Sequence, residues 1–217
     1  MSYVGKHIGV DWLLVLPNLG VKREMTEITS VVSNDMEEEA LSSLNSSSWF
    51  SKLTFREFYN RLPGRPPEAN LPQIILGIDP GETTGLALFR KLDLEQAYQV
   101  NTSIIEWGVD QYHGLIYKLV QEVVDPNQLI VIVEDYRIYA WKVKEHTWAG
   151  LLTPRLIGVL ECLCRQYKVR IAKQSAQQGK AFMTDDKLTT WGLYKPGLRH
   201  GRDAIRHAAR FILFGKF

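Results

Sequence analysis

Three segments of the sequence present side chains that can bind hard metal ions. The apolar run "IILGID" ends at Asp79, the apolar run "LIVIVE" ends at Glu134, and "HGRDAIRHA" places His200 three residues before Asp203. A spacing of three puts both side chains on one face of a helix. Carboxylate oxygens suit Mg²⁺, whereas an imidazole either joins them as a ligand or moves a proton. Taken singly, each of these residues is also what a turn, a strand end or a helix cap presents.

The pattern of apolar residues predicts the elements that position these side chains. Strands are predicted at residues 73–79, 84–90, 98–107, 128–136 and 168–174, and helices at 110–124, 153–167 and 200–213. Three strands in succession, followed by alternating helix and strand, predict an α/β fold with a mixed five-stranded sheet flanked by helices. The first and fourth strands are the most apolar, so we expect them to be central, parallel and adjacent.

This arrangement brings Asp79 and Glu134 together at the carboxyl end of the sheet, where open α/β sheets bind ligands. Two anions so close repel each other unless a cation lies between them or one of them is protonated. A hard divalent cation with oxygen ligands resolves the conflict. The sequence therefore predicts a metal site at this edge.

The N-terminal part of the chain has a different composition. Residues 33–51 are rich in Ser and acidic residues and are typical of a linker, and residues 49–62 carry apolar side chains at helical spacing. We therefore predict an N-terminal extension over residues 1–72, with a linker and one amphipathic helix, and a second domain over residues 73–217. Because all four candidate ligands lie in this second domain, a chain beginning near Leu71 is expected to fold.

Charge is distributed unevenly along the chain. Residues 1–136 carry 10 Lys and Arg against 19 Asp and Glu, a net charge of −9, and residues 137–217 carry 16 against 5, a net charge of +11. The basic half fits either a polyanion partner or a well-solvated basic surface. No apolar run approaches the ~20 residues of a membrane span. Cys162 and Cys164 are expected to be free thiols, and the protein is expected in the cytoplasm with no membrane partner.

The ordered motifs resemble those of the RuvC family of Holliday-junction resolvases, within the ribonuclease H-like superfamily. "ILGIDPGETTGLALF" is similar to the family's first strand, turn and second strand, "VIVED" to its strand-four glutamate motif, and "HGRDAIRHA" to its C-terminal motif. The resemblance covers residues 73–217, and the segment from "TDDKLTTWGLY" onward is most similar to phage-encoded members. It implies a ribonuclease H-like fold with the catalytic and metal-binding residues Asp79, Glu134, His200 and Asp203.

The resemblance also implies an activity. A family member would be a Mg²⁺-dependent endonuclease that hydrolyses phosphodiester bonds in Holliday junctions and other branched DNA. It would use two Mg²⁺ ions per site, with Mn²⁺ able to substitute, and act as a homodimer, in the host cytoplasm if phage-encoded. Alternatives are a ribonuclease H-like nuclease acting on flaps, forks or RNA–DNA hybrids, and a non-catalytic DNA-binding module. Whether His200 is a ligand or a base stays open.

Basic and aromatic residues of the C-terminal half are predicted to contact DNA. Bacterial family members carry an aromatic wedge three residues beyond the glutamate, where this chain has Arg137 with other aromatic residues nearby. His207, on a similar face of the last helix, is expected to support the site or to contact DNA. The predicted DNA contacts are Tyr136, Arg137, Tyr139, Trp141, Lys142, Lys144, Arg155, Lys173, Lys180, Arg199 and Arg202.

Overall fold

The structure, a computed structural model, describes residues 53–136 and 151–216. Its strands are β1 (Ile74–Asp79), β2 (Thr83–Arg90), β3 (Asp93–Asn101), β4 (Leu129–Asp135) and β5 (Arg170–Ser175). Its helices are α1 (Phe55–Arg61), α2 (Ile105–Glu122), α3 (Leu152–Gln166), α4 (Ala176–Phe182), α5 (Asp185–Thr190) and α6 (Arg199–Phe214).

The strands form one mixed sheet in the order β3-β2-β1-β4-β5. β1 is antiparallel to β2 and parallel to β4, β2 is antiparallel to β3, and β4 is parallel to β5. All six residues of β1 are buried, as expected for a strand covered on both faces. The predicted mixed five-stranded sheet, with its first and fourth strands adjacent and parallel, is confirmed.

The two faces of the sheet pack against different helices. Leu76 belongs to an apolar cluster with residues of α2 and α3, whereas Ile75 and Ile132 belong to a second cluster with residues of α6. Side chains alternate between faces along a strand. Asp79 lies four residues beyond Ile75 and Glu134 two beyond Ile132, so both acids lie on the face that α6 covers.

Helix α6 packs unusually close to the sheet. A Cβ atom on Gly77 of β1 would lie 2.3 Å from the carbonyl oxygen of Ala204, and one on Gly85 of β2 would lie 1.9 Å from that of His200. Side chains at these positions would therefore push α6 away from β1 and β2. The two glycines allow the first turns of α6 to reach the carboxyl end of β1.

The third strand differs from its prediction. It was expected at residues 98–107 but spans Asp93–Asn101, and α2 begins at Ile105 rather than at residue 110. Arg90 pairs with Asp93, so Lys91 and Leu92 alone form the hairpin turn, with Lys91 in the left-handed region at φ 54°. The sequence prediction was wrong here because β3 is an edge strand whose first half is polar and largely exposed.

Helix α1 lies within residues 49–62, whose apolar spacing predicts an amphipathic helix. Phe55, Phe58 and Tyr59 are buried, and the ring centroids of Phe55 and Phe58 lie 5.6 and 5.1 Å from that of Trp191. Thr54 caps the helix, as its side chain accepts a hydrogen bond from the Glu57 amide. The helix therefore packs in the same apolar cluster as α6. The predicted domain boundary at residue 72 stays a prediction.

Two further expectations concern the cysteines and membranes. Both cysteines are free, with Cys162 exposed and Cys164 buried, as predicted. None of the helices described within residues 53–136 and 151–216 is long and apolar enough to cross a bilayer.

Candidate active site

Two carboxylates lie side by side where β1 and β4 end. Ile78 pairs with Val133, so Asp79 and Glu134 are the next residues of two adjacent parallel strands. The Asp79 side chain is buried, with 8% of the residue exposed. Burial and, next, the negative charge of Glu134 raise the pKa of Asp79 to about 6, against a smaller opposing effect of a hydrogen bond from His200. The two acids therefore act on each other, as the strand order predicts.

Helix α6 places an imidazole on the first of these acids. Nδ1 of His200 lies 2.9 Å from Oδ2 of Asp79. Because an ionised carboxylate only accepts hydrogen bonds, Nδ1 carries the proton and donates it. The second ring nitrogen, Nε2, is then the atom through which His200 would bind a metal or accept a proton.

Asp203, the remaining candidate ligand, is paired with cations. It is buried on α6, and its Oδ2 lies 3.3 Å from Nζ of Lys180 on α4. Its Oδ1 accepts a hydrogen bond from Arg206, which also pairs with Asp185 and donates from Nε to the carbonyl oxygen of Met183 over 2.8 Å. Arg206 thereby connects α6 to the segment that joins α4 and α5.

Of the four predicted ligands, Asp79 and His200 contact each other, whereas Asp203 contacts Lys180 and Arg206. Among the residues that the structure describes, no three His, Cys, Asp or Glu side chains lie close enough together to hold a metal ion. The donors nevertheless fit a hard divalent cation by their chemistry, because the charges of Glu134 and Asp203 both raise the pKa of Asp79. A cation with oxygen ligands would relieve that repulsion. Binding by all four would require Asp203 to give up its cationic partners, whereas His200 can keep its Nδ1 contact with Asp79 and bind through Nε2.

A buried histidine and a glutamine support Glu134. Nε2 of His207 lies 2.9 Å from Oε2 of Glu134, and Nδ1 lies 3.2 Å from Oε1 of Gln174. Gln174 pairs with Glu134 in the β4–β5 register. The spacing of His207 in the sequence predicts that it lies near the site. Gln174 was not predicted, although a parallel pairing of β4 with β5 would have placed it beside Glu134.

Buried hydroxyl groups hold the turn that follows Asp79. Oγ1 of Thr84 lies 2.7 Å from Oγ1 of Thr102 and 2.8 Å from Oη of Tyr112, and Thr102 also donates to the carbonyl oxygen of Gly81. Burial raises the pKa of Tyr112. The three hydroxyl groups come from β2, the β3–α2 connection and α2, so no local sequence signal predicts the cluster. It fixes the backbone directly after the acid.

Comparisons with known proteins identify the fold. No protein-family model matches the sequence, and no curated protein is similar enough to match it. RuvC of Thermus thermophilus in complex with a Holliday junction substrate is 19% identical, with a TM-score of 0.50 over 65% of this chain and 94% of that chain. The chain has a RuvC-like fold. The ribonuclease H-like architecture that the motifs imply is therefore confirmed.

Two further solved structures are similar at lower scores. Another structure of Thermus thermophilus RuvC is 19% identical, with a TM-score of 0.47 over 65% of this chain and 94% of that chain. The yeast mitochondrial Holliday junction resolvase is 14% identical, with a TM-score of 0.44 over 81% of this chain and 93% of that chain.

The predicted DNA contacts fall at different places on this RuvC-like fold. Lys180 pairs with Asp203, and Arg199 is exposed at the start of α6. Arg202 stacks on the ring of Tyr194 at 4.9 Å and donates from Nη1 to the carbonyl oxygen of Lys195. Lys180 therefore lies beside one of the candidate acids, whereas Arg199 and Arg202 lie in the first turn of α6.

Other predicted contacts lie elsewhere. Tyr136 is half-buried directly after β4, and Arg155 is exposed in the first turn of α3. Lys173 forms an ion pair with Glu161 of α3, so it lies on the face of the sheet opposite α6. The predicted contacts that lie outside the described residues are Arg137, Tyr139, Trp141, Lys142 and Lys144.

Proposed function

We propose that this protein is a metal-dependent endonuclease that hydrolyses phosphodiester bonds in four-way junctions and other branched DNA. The observation that carries the proposal is the pair of acids, Asp79 and Glu134, at the carboxyl ends of β1 and β4 within a RuvC-like fold. The raised pKa of Asp79 supports it, because carboxylates that repel one another are suited to a divalent cation. The neighbour that shows this fold, RuvC of Thermus thermophilus, is in complex with a Holliday junction substrate.

The proposed cofactor is a pair of Mg²⁺ ions, with Mn²⁺ able to substitute. Asp79 and Glu134 would hold them through carboxylate oxygens, with Asp203 and His200 completing the ligand set. When bound, such ions lower the pKa of the attacking water and stabilise the leaving oxygen. Because imidazole is a more natural ligand for Mn²⁺ than for Mg²⁺, His200 would make the site favour Mn²⁺.

The residues of the chain have separate roles in the hydrolysis. Asp79, on a rigid buried strand, would hold the metal beside the scissile phosphate, and His200 orients Asp79 through their hydrogen bond. Water adds to phosphorus and the bond from phosphorus to the 3′ oxygen breaks, which leaves a 5′-phosphate and a 3′-hydroxyl. Lys180, Arg199 and Arg202 would bind the phosphates flanking the cut.

The symmetry of the substrate suggests the assembly. A four-way junction has twofold symmetry, so a C2 homodimer would place one site on each of two opposed strands. The net charge of +11 over residues 137–217 supports a polyanionic partner such as a four-way junction.

A panel of matched synthetic substrates tests the proposal. Four-way junction, fork, flap, duplex and RNA–DNA hybrid would be incubated with the full chain and Mg²⁺ or Mn²⁺, and the products would be mapped. The proposal predicts metal-dependent cuts in the junction that leave 5′-phosphates. Faster cleavage of flaps, forks or hybrids would favour the wider ribonuclease H-like activity, and binding without cleavage of any substrate would favour a non-catalytic module.

A further inference from the structure

His207 is a polar side chain with no exposed surface on α6, between the buried residues Asp203 and Arg210. Its two ring nitrogens meet Glu134 at 2.9 Å and Gln174 at 3.2 Å. Burying an imidazole is costly unless its nitrogens find hydrogen-bond partners. Both partners here belong to strands that end at the candidate active site, so the ring connects α6 to β4 and β5.

The space around the ring is shaped for it. A Cβ atom on Gly179 of α4 would lie 2.6 Å from Cε1 of His207 and 2.9 Å from Nδ1, so only glycine leaves room for the imidazole. Glycine inside a helix costs about 1 kcal/mol relative to alanine. The close contact with the His207 imidazole therefore explains why position 179 of α4 is a glycine, although glycine disfavours a helix.

The partner on β5 is held equally firmly. Gln174 is buried, and α4 begins directly after Ser175 with a capping box, in which Ser175 and Gln178 exchange hydrogen bonds between side chain and backbone. The side-chain amide of Gln174 can accept a hydrogen bond from Nδ1 of His207 through its oxygen, or donate one to Nδ1 through its nitrogen. Nε2 donates to the Glu134 carboxylate in each case.

Glu134 needs such a support more than Asp79 does. It is only half-buried, and a glutamate has one more rotatable bond than an aspartate, so its carboxylate samples more positions unless a neighbour restrains it. Outer partners of metal-binding carboxylates fix their orientation, and loss of such a partner typically lowers metal affinity.

We infer that His207 is a positioning residue that fixes the Glu134 carboxylate at the end of β4, with Gln174 and Gly179 fixing the imidazole in turn. The inference rests on the proposed function insofar as it takes Glu134 to be a metal ligand. It adds to the four predicted ligands a hydrogen-bonded pair, His207 and Gln174, and the close contact of Gly179 with the imidazole.

The test compares His207→Phe, which keeps a planar ring but removes the donor, with His207→Gln, which restores an N–H donor. Ile212→Val, a buried change on the same helix, is the control. Mn²⁺ affinity is measured by calorimetric titration of the full chain, and the half-saturating Mn²⁺ concentration by single-turnover cleavage of a four-way junction. Junction affinity is measured in EDTA, and thermal unfolding reports the folded fraction.

His207→Phe is expected to weaken Mn²⁺ binding by about 10- to 100-fold and to raise the half-saturating concentration by the same factor. His207→Gln should recover most of the loss, Ile212→Val should change neither quantity, and junction affinity in EDTA should stay constant. Should His207→Phe fail to fold, Gln174→Ala provides the second variant, with a smaller loss of Mn²⁺ affinity expected because the ring is less restrained.

The outcomes separate the inference from the proposed function. If wild type binds Mn²⁺ and cuts junctions, while the variants that fold only lower the unfolding temperature and keep Mn²⁺ affinity, the positioning role is wrong and the nuclease proposal stands. If His207→Gln is as impaired as His207→Phe, the hydrogen bond is not what matters, and the inference is again wrong. A wild type that neither binds Mn²⁺ nor cuts any DNA overturns both.

Discussion

Nδ1 of His200 donates a hydrogen bond to Oδ2 of Asp79 over 2.9 Å, and this contact joins the first turn of α6 to the end of β1. Asp79 is buried beside the like charges of Glu134 and Asp203, and among residues 53–136 and 151–216 the imidazole is the one neighbour that lowers its pKa. The contact helps the site to tolerate a buried acid. It also makes the stability of the protein depend on pH in a defined direction.

The first prediction concerns that dependence. Because the pKa of Asp79 is about 6 in the folded protein and 3.8 when unperturbed, the folded state binds the proton more tightly. Stability is therefore lost as the pH rises from about 4 to 6, and above that range the ionised acid costs up to about 3 kcal/mol. In EDTA, Asp79→Asn should raise the free energy of unfolding at pH 8 and have little effect at pH 4.

Urea denaturation of wild type and Asp79→Asn at the two pH values measures this difference. Asp110→Asn, an exposed acid of α2, serves as the control and should change the free energy of unfolding little at either pH. A loss of stability in Asp79→Asn at pH 8 would contradict this prediction, because favourable contacts of the ionised Asp79 would then outweigh the cost of burying its charge.

The second prediction separates the two roles of His200. If His200 is a metal ligand, His200→Asp supplies an oxygen donor on the same helix face, and cleavage should survive with a higher ratio of Mg²⁺ to Mn²⁺ rates. If His200 moves a proton, an aspartate with a pKa of about 3.9 is a much weaker base, and the rate should fall with both metals. We expect the first result in single-turnover cleavage with each metal at saturation.

His200→Ala is the matched control, because it removes both roles and should be slow with either metal. A large, metal-independent loss in an Asp variant that still binds both ions would contradict the ligand role.

The third prediction tests the close packing of α6. A Cβ atom on Gly85 would lie 1.9 Å from the carbonyl oxygen of His200, so Gly85→Ala forces α6 and β2 apart. Overpacking of this kind costs about 1–3 kcal/mol or more, and it displaces His200 from Asp79. We expect both a lower unfolding free energy and a loss of cleavage.

Gly158 offers a control for the same substitution. Nothing lies within 4 Å of a Cβ atom at this position of α3, and alanine favours a helix by about 1 kcal/mol over glycine. Gly158→Ala should therefore stabilise the protein. If Gly85→Ala is equally well tolerated, the helix can move without consequence, contrary to the packing described.

The acids and their supports differ in how far the sequence could predict them. Apolar runs ending in acid predicted that Asp79 and Glu134 meet, because a parallel register fixes which strand ends are neighbours. The spacing of His200 and Asp203 predicted their shared helix face. It did not predict that Asp203 pairs with Lys180, since that depends on how α4 packs against α6.

Other features depend on contacts between distant segments. The start of β3 was missed because its exposed polar residues resemble a loop, and the hydroxyl cluster around Thr84 joins residues up to 28 positions apart. Sequence patterns report one face of one element at a time. They carry no information on which side chain of another element fills the space opposite.

The fourth prediction concerns the N-terminal boundary. From the sequence alone, a chain beginning near Leu71 is expected to fold and cut DNA. The packing of α1 changes that expectation, because Phe58 is buried against Trp191, and removing a buried Phe side chain typically costs about 3–5 kcal/mol. A chain beginning at Leu71 should therefore be much less stable than one beginning at Ser51.

Thermal unfolding and junction cleavage of the two truncated chains check this expectation. The chain beginning at Ser51 keeps α1 and should unfold at a higher temperature than the chain beginning at Leu71. If the chain beginning at Leu71 is as stable and as active as the full chain, residues 1–72 form a separate extension, and the boundary predicted from the sequence is right.

Single-turnover cleavage of a four-way junction by wild type and Asp79→Asn tests the central proposal most directly. With saturating Mg²⁺ or Mn²⁺, wild type should cut and leave 5′-phosphates. Asp79→Asn should lose cleavage yet bind the junction in EDTA at least as tightly, because one negative charge near the phosphates is removed. Near-normal metal-dependent cleavage by Asp79→Asn, or no cleavage by wild type with either metal, would contradict the proposal.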